Sequence, residues 1–185
     1  MIDALKSLLS RAAQARQSGE AADAERLFKQ AAAEAANDDA IARAEALMGI
    51  AQARRDSGDR TGAAIYYSEA ITLLRNVEAT ERLAYALRHA AEVRSELREY
   101  AVAGNHIQEA VRLYRSINDR DPLGLANALR VSALNDEREA RASWLEARDL
   151  YKAASVDAGV DEATTHLDHL QIHEAPPTAP KETAA

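Results

Sequence analysis

Ala24, Phe28 and Ala31 recur 39 residues later as Ala63, Tyr67 and Ala70, and a Ser-Gly turn precedes both triplets, at Ser18-Gly19 and Ser57-Gly58. A further 40 residues lead to Ala103, Ile107 and Ala110, and 37 more to Ala140, Trp144 and Ala147. Another alanine recurs ahead of each triplet, at Ala12, Ala51, Ala91 and Ala128. Four equivalent positions therefore read small, small, large apolar and small in every copy. The physical reason is close approach. Alanines where helices cross let backbones pack tightly, and the large residue fills the gap between neighbouring units.

Punctuation divides the chain into helical segments. Breaks fall at Ser18-Gly19, Asn37-Asp38-Asp39, Ser57-Gly58-Asp59, Val77 to Thr80, Arg98-Glu99, Asn118 to Pro122, Asn135-Asp136 and Ala158-Gly159. Gly58 suits the left-handed conformation that ends a helix, and Asp59 suits the next N-cap. Asp121-Pro122 reads as an N-cap followed by a proline at the first helical position. Between breaks, apolar residues recur at three and four, as in Leu83, Leu87, Ala90, Ala91 and Leu97. The pattern predicts an all-α domain over 1–173: four antiparallel helix pairs, then a capping helix over about 160–173. Residues 174–185, EAPPTAPKETAA, lack apolar periodicity and predict a disordered tail. One irregularity marks the fourth pair. LAYALR at 83–88 matches LANALR at 125–130 with a shift of 42, whereas the following helix shifts by 37. Five residues are missing near that turn, so its first helix is expected to be shorter or differently registered.

Composition narrows the function classes. The 185 residues suit one domain, which at that size buries roughly 70% of the surface its unfolded chain exposes. Net charge is −7, and Lys and Arg are scattered rather than clustered, which disfavours nucleic-acid binding. No apolar stretch approaches the ~20 residues that span a bilayer, and the N-terminus does not read as a secretory signal. Cysteine is absent, so neither disulfides nor thiolate chemistry are available. A cytoplasmic protein without membrane or nucleic-acid partners is the expectation.

Catalytic constellations are sparse. His166, His169 and His173 lie at i, i+3 and i+7, within about 60° on a helix, and could meet a metal with Glu162 one turn earlier. The competing reading makes Val160, Ala163, Leu167 and Leu170 a buried stripe that the histidines flank. Ligands on one exposed helix also lack the outer shell that orients imidazoles. No histidine follows a Glu-x-x spacing, no Gly-rich phosphate loop is present, and His89, Glu92 and Ser95 read as one polar helix face. No enzyme and no cofactor are predicted.

The second copy, Leu47-x2-Ile50-Ala51-x2-Arg54 followed by Ala63-x3-Tyr67-x2-Ala70, resembles the tetratricopeptide repeat (TPR). The resemblance covers about residues 4–155. It departs from the family in its period of 37–40, in the missing closing proline, and in Arg54 and Arg94 where the family prefers Tyr. It implies a right-handed superhelix, a TPR-like solenoid, whose concave face is lined by the first helix of each pair. On that alignment the concave face presents Arg16, Met48, Gln52, Arg55, Tyr85, Arg88, Glu92, Asn127 and Arg130. Leu9, Met48 and Arg88, with Ala13, Gln52 and Glu92, do not reproduce the family's paired Lys and Asn carboxylate clamp. The expected function is a non-catalytic adaptor or scaffold that binds a protein, a peptide or a partner helix in the groove. Arg55 and Arg88 together would favour an acidic segment. The alternatives are a structural oligomerisation domain and, behind it, a metal-dependent enzyme using the histidine cluster.

Overall fold

A computed structural model describes residues 2–35, 39–117, 121–135 and 140–174, with side chains described from 4 to 170 within them. Among these residues the chain forms α1 (Ile2–Gln17), α2 (Ala21–Glu34), α3 (Ala40–Asp56), α4 (Arg60–Arg75), α5 (Thr80–Glu96), α6 (Tyr100–Ser116), α7 (Pro122–Asn135), α8 (Ala140–Ala153) and α9 (Asp157–Glu174). Each helix packs on its sequence neighbours, giving four pairs and a final helix. Of the expected tail over 174–185, Glu174 closes α9 instead and residues 175–185 lie outside the described residues, as do Asn37, Asp38, Asn118 and Asp136.

The recurrent positions build the core. Ala12, Ala51, Ala91 and Ala128 are fully buried, as are Ala31, Ala70, Ala110 and Ala147. Ala24, Ala63, Ala103 and Ala140 are buried beside them, and so are the gap-fillers Phe28, Tyr67, Ile107 and Trp144. α1 touches α3 and α5 touches α7, whereas no pair of second helices makes a comparable contact. First helices thus crowd together on the inside of the curve, which is the geometry of a superhelix with a first-helix concave wall.

One turn design closes the first helices of three pairs and the second helix of the fourth. Gly19, Gly58, Arg98 and Ser155 all have φ between 56° and 87°. The following N–H groups of Glu20, Asp59, Glu99 and Val156 each donate to a carbonyl five residues back, at 2.8–2.9 Å. This is the Schellman closure, which satisfies carbonyls that a helix end would leave unpaired. Asp39, Asp59 and Asp121 cap α3, α4 and α7 by accepting from the Ala42, Gly62 and Gly124 N–H groups at 2.9, 2.8 and 2.7 Å.

One break differs from the sequence reading. The last break lies at Ala154 to Val156, not at Ala158-Gly159, so α9 starts at Asp157. Gly159 serves a different purpose there: a Cβ on it would stand 2.5 Å from the Tyr151 ring. Its lack of a side chain lets α9 lie against α8. In the fourth pair α7 is described over 14 residues, against 17 in α5, and α8 from Ala140, while residues 136–139, at the turn where the sequence is shorter, lie outside the described residues. Both alternative contact alanines, Ala128 and Ala133, are buried.

Candidate functional site

On the concave wall the side chains of α3 and α5 interlock. Gln52 donates from Nε2 to the Tyr85 hydroxyl at 2.7 Å. Arg55 reaches from α3 to Glu92 at 2.6 Å and, through Nε, to Glu96 at 3.0 Å. Arg88 donates to the other Glu92 oxygen at 2.9 Å, and Arg60 reaches Glu96 at 2.8 Å. Arg55 and Arg88 therefore come together, as the repeat alignment predicts. They do so around carboxylates that already hold them, so they are not the free cationic pair on which the acidic-partner expectation rests.

His89 lies at the back of this cluster. Its Nδ1 faces Glu92 at 3.3 Å and its Nε2 faces Arg88 at 2.7 Å. Both partners are satisfied by the neutral tautomer in which Nδ1–H donates to Glu92 and Nε2 accepts from Arg88. Burial, joined by Arg88 and opposed by Glu92, holds this imidazole below its ordinary value. Burial would push the Glu92 carboxyl up, but the His89 hydrogen bond, then Arg88 and Arg55, outweigh it and bring it down to about 2. The ring of Tyr67 lies parallel to His89 at 6.1 Å, and burial pushes its phenol well above the usual range.

Tyr85 is the exposed member, at 36%. Its hydroxyl accepts from Gln52, its ring packs edge-on to His89 at 4.4 Å, and the Arg88 guanidinium lies 5.3 Å from its centre. The other candidate residues separate from this centre. Met48 belongs to the core at 6% exposure, so it contributes packing rather than contact surface. Asn127 accepts from the Tyr151 hydroxyl of α8 at 2.8 Å, and Arg130 pairs with Glu162 of α9 at 3.2 Å. Arg16 pairs with Asp56 at 3.0 Å.

These pairs follow a rule that residue-by-residue reading missed. Arg16, Arg55 and Ser95 occupy one repeat position, and each bonds the last turn of the next first helix, at Asp56, Glu96 and Asn135. The available signal is a donor with an acceptor one period downstream. The departures from the family have a matching explanation. Arg54 ties α3 to Glu25 of α2 at 2.9 Å and to Asp59 of its own turn at 2.8 Å. Arg94 repeats the device with Ser68 of α4 and Glu99. Guanidinium forks here make the links between pairs.

Of the described histidines of α9, one serves packing and one faces solvent. His166 stacks on Trp144 at 4.3 Å with the rings 6° from parallel, and His169 is exposed. The His173 side chain lies outside the described residues. Among the described residues no three His, Asp or Glu side chains converge as a metal site. Nor is any described helix long and apolar enough to cross a membrane.

No family model and no curated protein matches the chain. Solved structures do. BtubC (BKLC) from P. vanneervenii is similar with a TM-score of 0.53 at 17% identity, over 97% of this chain and 85% of that one. A Podosopora anserina putative kinesin light chain with nearly identical TPR-like repeats is similar with a TM-score of 0.59 at 14% identity, over 90% and 94%. The buried repeat alanines, the first-helix concave wall and these neighbours together give the chain a TPR-like fold, an all-α superhelix of stacked helix pairs.

Proposed function

We propose that this chain is a non-catalytic interaction module, an adaptor or scaffold, that takes a peptide or partner helix against the first-helix wall between α3 and α7. The observation that carries the reading is Tyr85. It is an exposed aromatic side chain fixed from three sides by Gln52, His89 and Arg88. Association costs the ordering of interface side chains, and aromatic anchors dominate interface energies. A tyrosine already held in place avoids that cost while presenting flat apolar area with a polar tip. Helical repeats of this fold generally carry protein interactions, which supports the same reading.

The test uses the full chain with a photoreactive phenylalanine analogue at position 85. Cross-linking in an extract is expected to capture a partner, and Tyr85→Ala is expected to weaken that partner's binding at least about tenfold. Helicity and melting temperature should stay near wild type, because Tyr85 is not part of the buried core. A partner that binds Tyr85→Ala as tightly as wild type would overturn the reading. Charge reversal at Arg55 and Arg88 would be a poorer test, since both hold Glu92 and the fold would suffer.

A further inference from the structure

Below Tyr85, on the same wall, α5, α6 and the residue that caps α7 surround a cavity of about 300 Å³. α5 contributes Glu81, Arg82 and Tyr85, α6 contributes Tyr114 from beneath, and Asp121 closes the side where α7 begins. The charges around it are unequal. Arg82 is turned to Glu45 of α3 at 2.5 Å and is neutralised there. Glu81 is exposed and has no ion-pair partner among the described residues. Asp121 uses Oδ1 to cap α7 through Gly124 N–H and leaves Oδ2 without a cation among the described residues. What remains is two tyrosine rings and two uncompensated carboxylates around one opening.

We infer that this cavity receives an arginine side chain from the partner segment. A guanidinium is planar, lies favourably on an aromatic face, and donates in a fork to carboxylates. Tyr85 supplies an exposed ring, Tyr114, only 4% exposed, closes the floor, and Glu81 with Asp121 Oδ2 supply the acceptors. An anionic side chain would meet both carboxylates, while the nearby cations Arg82 and Arg88 are already paired with Glu45 and Glu92. The inference rests on the groove reading above and specifies its partner: the segment carries arginine at the point that reaches Tyr85.

The experiment titrates the full chain, with tyrosine rings isotopically labelled, using three short Ala/Ser peptides that differ only at a central Arg, citrulline or Glu. The Arg peptide should shift the ring signals of Tyr85 and Tyr114, while the citrulline peptide, equal in shape but uncharged, should bind at least about tenfold more weakly. Glu81→Gln with Asp121→Asn should weaken the Arg peptide to the citrulline level. Asn keeps the helix cap at 121, so the fold should be unaffected. Equal binding of the Arg and citrulline peptides, tighter binding of the Glu peptide, unmoved ring signals, or a double variant that binds like wild type would each overturn the inference. A partner captured through position 85 whose binding the Glu81→Gln, Asp121→Asn variant leaves unchanged would reject the arginine pocket and leave the groove reading standing.

Discussion

Glu92 is the residue on which the concave wall turns. Its carboxylate is shared by Arg55, Arg88 and His89, and its side chain is only 12% exposed. Removing one partner of a pair this buried leaves uncompensated charge, at a cost of about 3–5 kcal/mol. Glu92→Gln should be destabilising toward that range in denaturant melts. Acid acts on the same cluster with a definite sign. Glu92 and His89 both have folded values below their ordinary ones of 4.5 and 6.5. A depressed group contributes stability that is complete above its unfolded value and is lost as pH falls through its folded value. The His89 share is therefore complete above about 6.5 and declines below it, and the Glu92 share is complete above 4.5 and fades toward 2. Melting temperature should hold steady just above neutral pH and fall on acidification. His89→Gln should flatten the upper part of that fall, between 6.5 and 4.5, and a slope unchanged by the substitution would remove His89 from the account. The sequence places Arg55, Arg88 and Glu92 on one wall but does not show that Glu92 holds both guanidinium groups and that Glu96 joins them. Periodicity predicts that first helices share a wall. Only the packed structure brings Glu96, Arg60 and His89 onto the same few side chains.

Helix ends were more legible than helix contents, with an instructive exception. Glycine marks the turns at Gly19 and Gly58, and the same signal misplaces the final one at Gly159. At the other Schellman turns the left-handed residue is Arg98 at φ 62° and Ser155 at φ 56°, which no glycine count finds. For an L-residue that conformation costs about 1–2 kcal/mol, which glycine avoids. Arg98 is exposed and no hydrogen bond of its side chain is described, so Arg98→Gly should stabilise the chain by roughly 1 kcal/mol in the same melts. A loss of stability would show that the Arg98 side chain contributes more than its backbone costs. α9 raises the opposite question of what an end helix covers. Ala163 and Leu167 are buried against Ala133, Ala140 and Trp144, and Leu170 packs beside them. The apolar stripe expected of a cap is what covers the last gap-filler. Trp144→Ala should cost roughly 3–5 kcal/mol, the range for truncating a buried aromatic. Ending the chain after Ser155 should lower the melting temperature or cause aggregation, since it uncovers that indole. A monomeric truncation of equal stability would deny α9 its covering role.

At the scale of the whole molecule the array is held together by neighbour contacts, so its stability is a series of junctions rather than one sum. Those junctions are unequal. The main core runs continuously from Leu8 in α1 to Tyr151 in α8, whereas Trp144, Ala133, Ala140, Ala163 and Leu167 form a separate cluster at the C-terminal end. Two furrows of about 330 Å³ each open between α6 and the fourth pair, sharing Gln108 and Ser132. Open space of that kind leaves side chains at this junction without packing partners. The first three pairs should therefore act as the rigid frame of the wall, with the fourth pair and α9 hinged against it. Native-state hydrogen exchange is expected to show α8 and α9 opening together at a lower free energy than α3 to α5, short of global unfolding. Trp144→Ala should widen that difference by speeding exchange in α7 to α9 while leaving α3 to α5 unchanged. If every helix exchanged only through global unfolding, the furrowed junction would be as strong as the others. Asp121 lies on the α7 side of this junction and Tyr85 on the α5 side, so a ligand that bridges them should also slow exchange in α7.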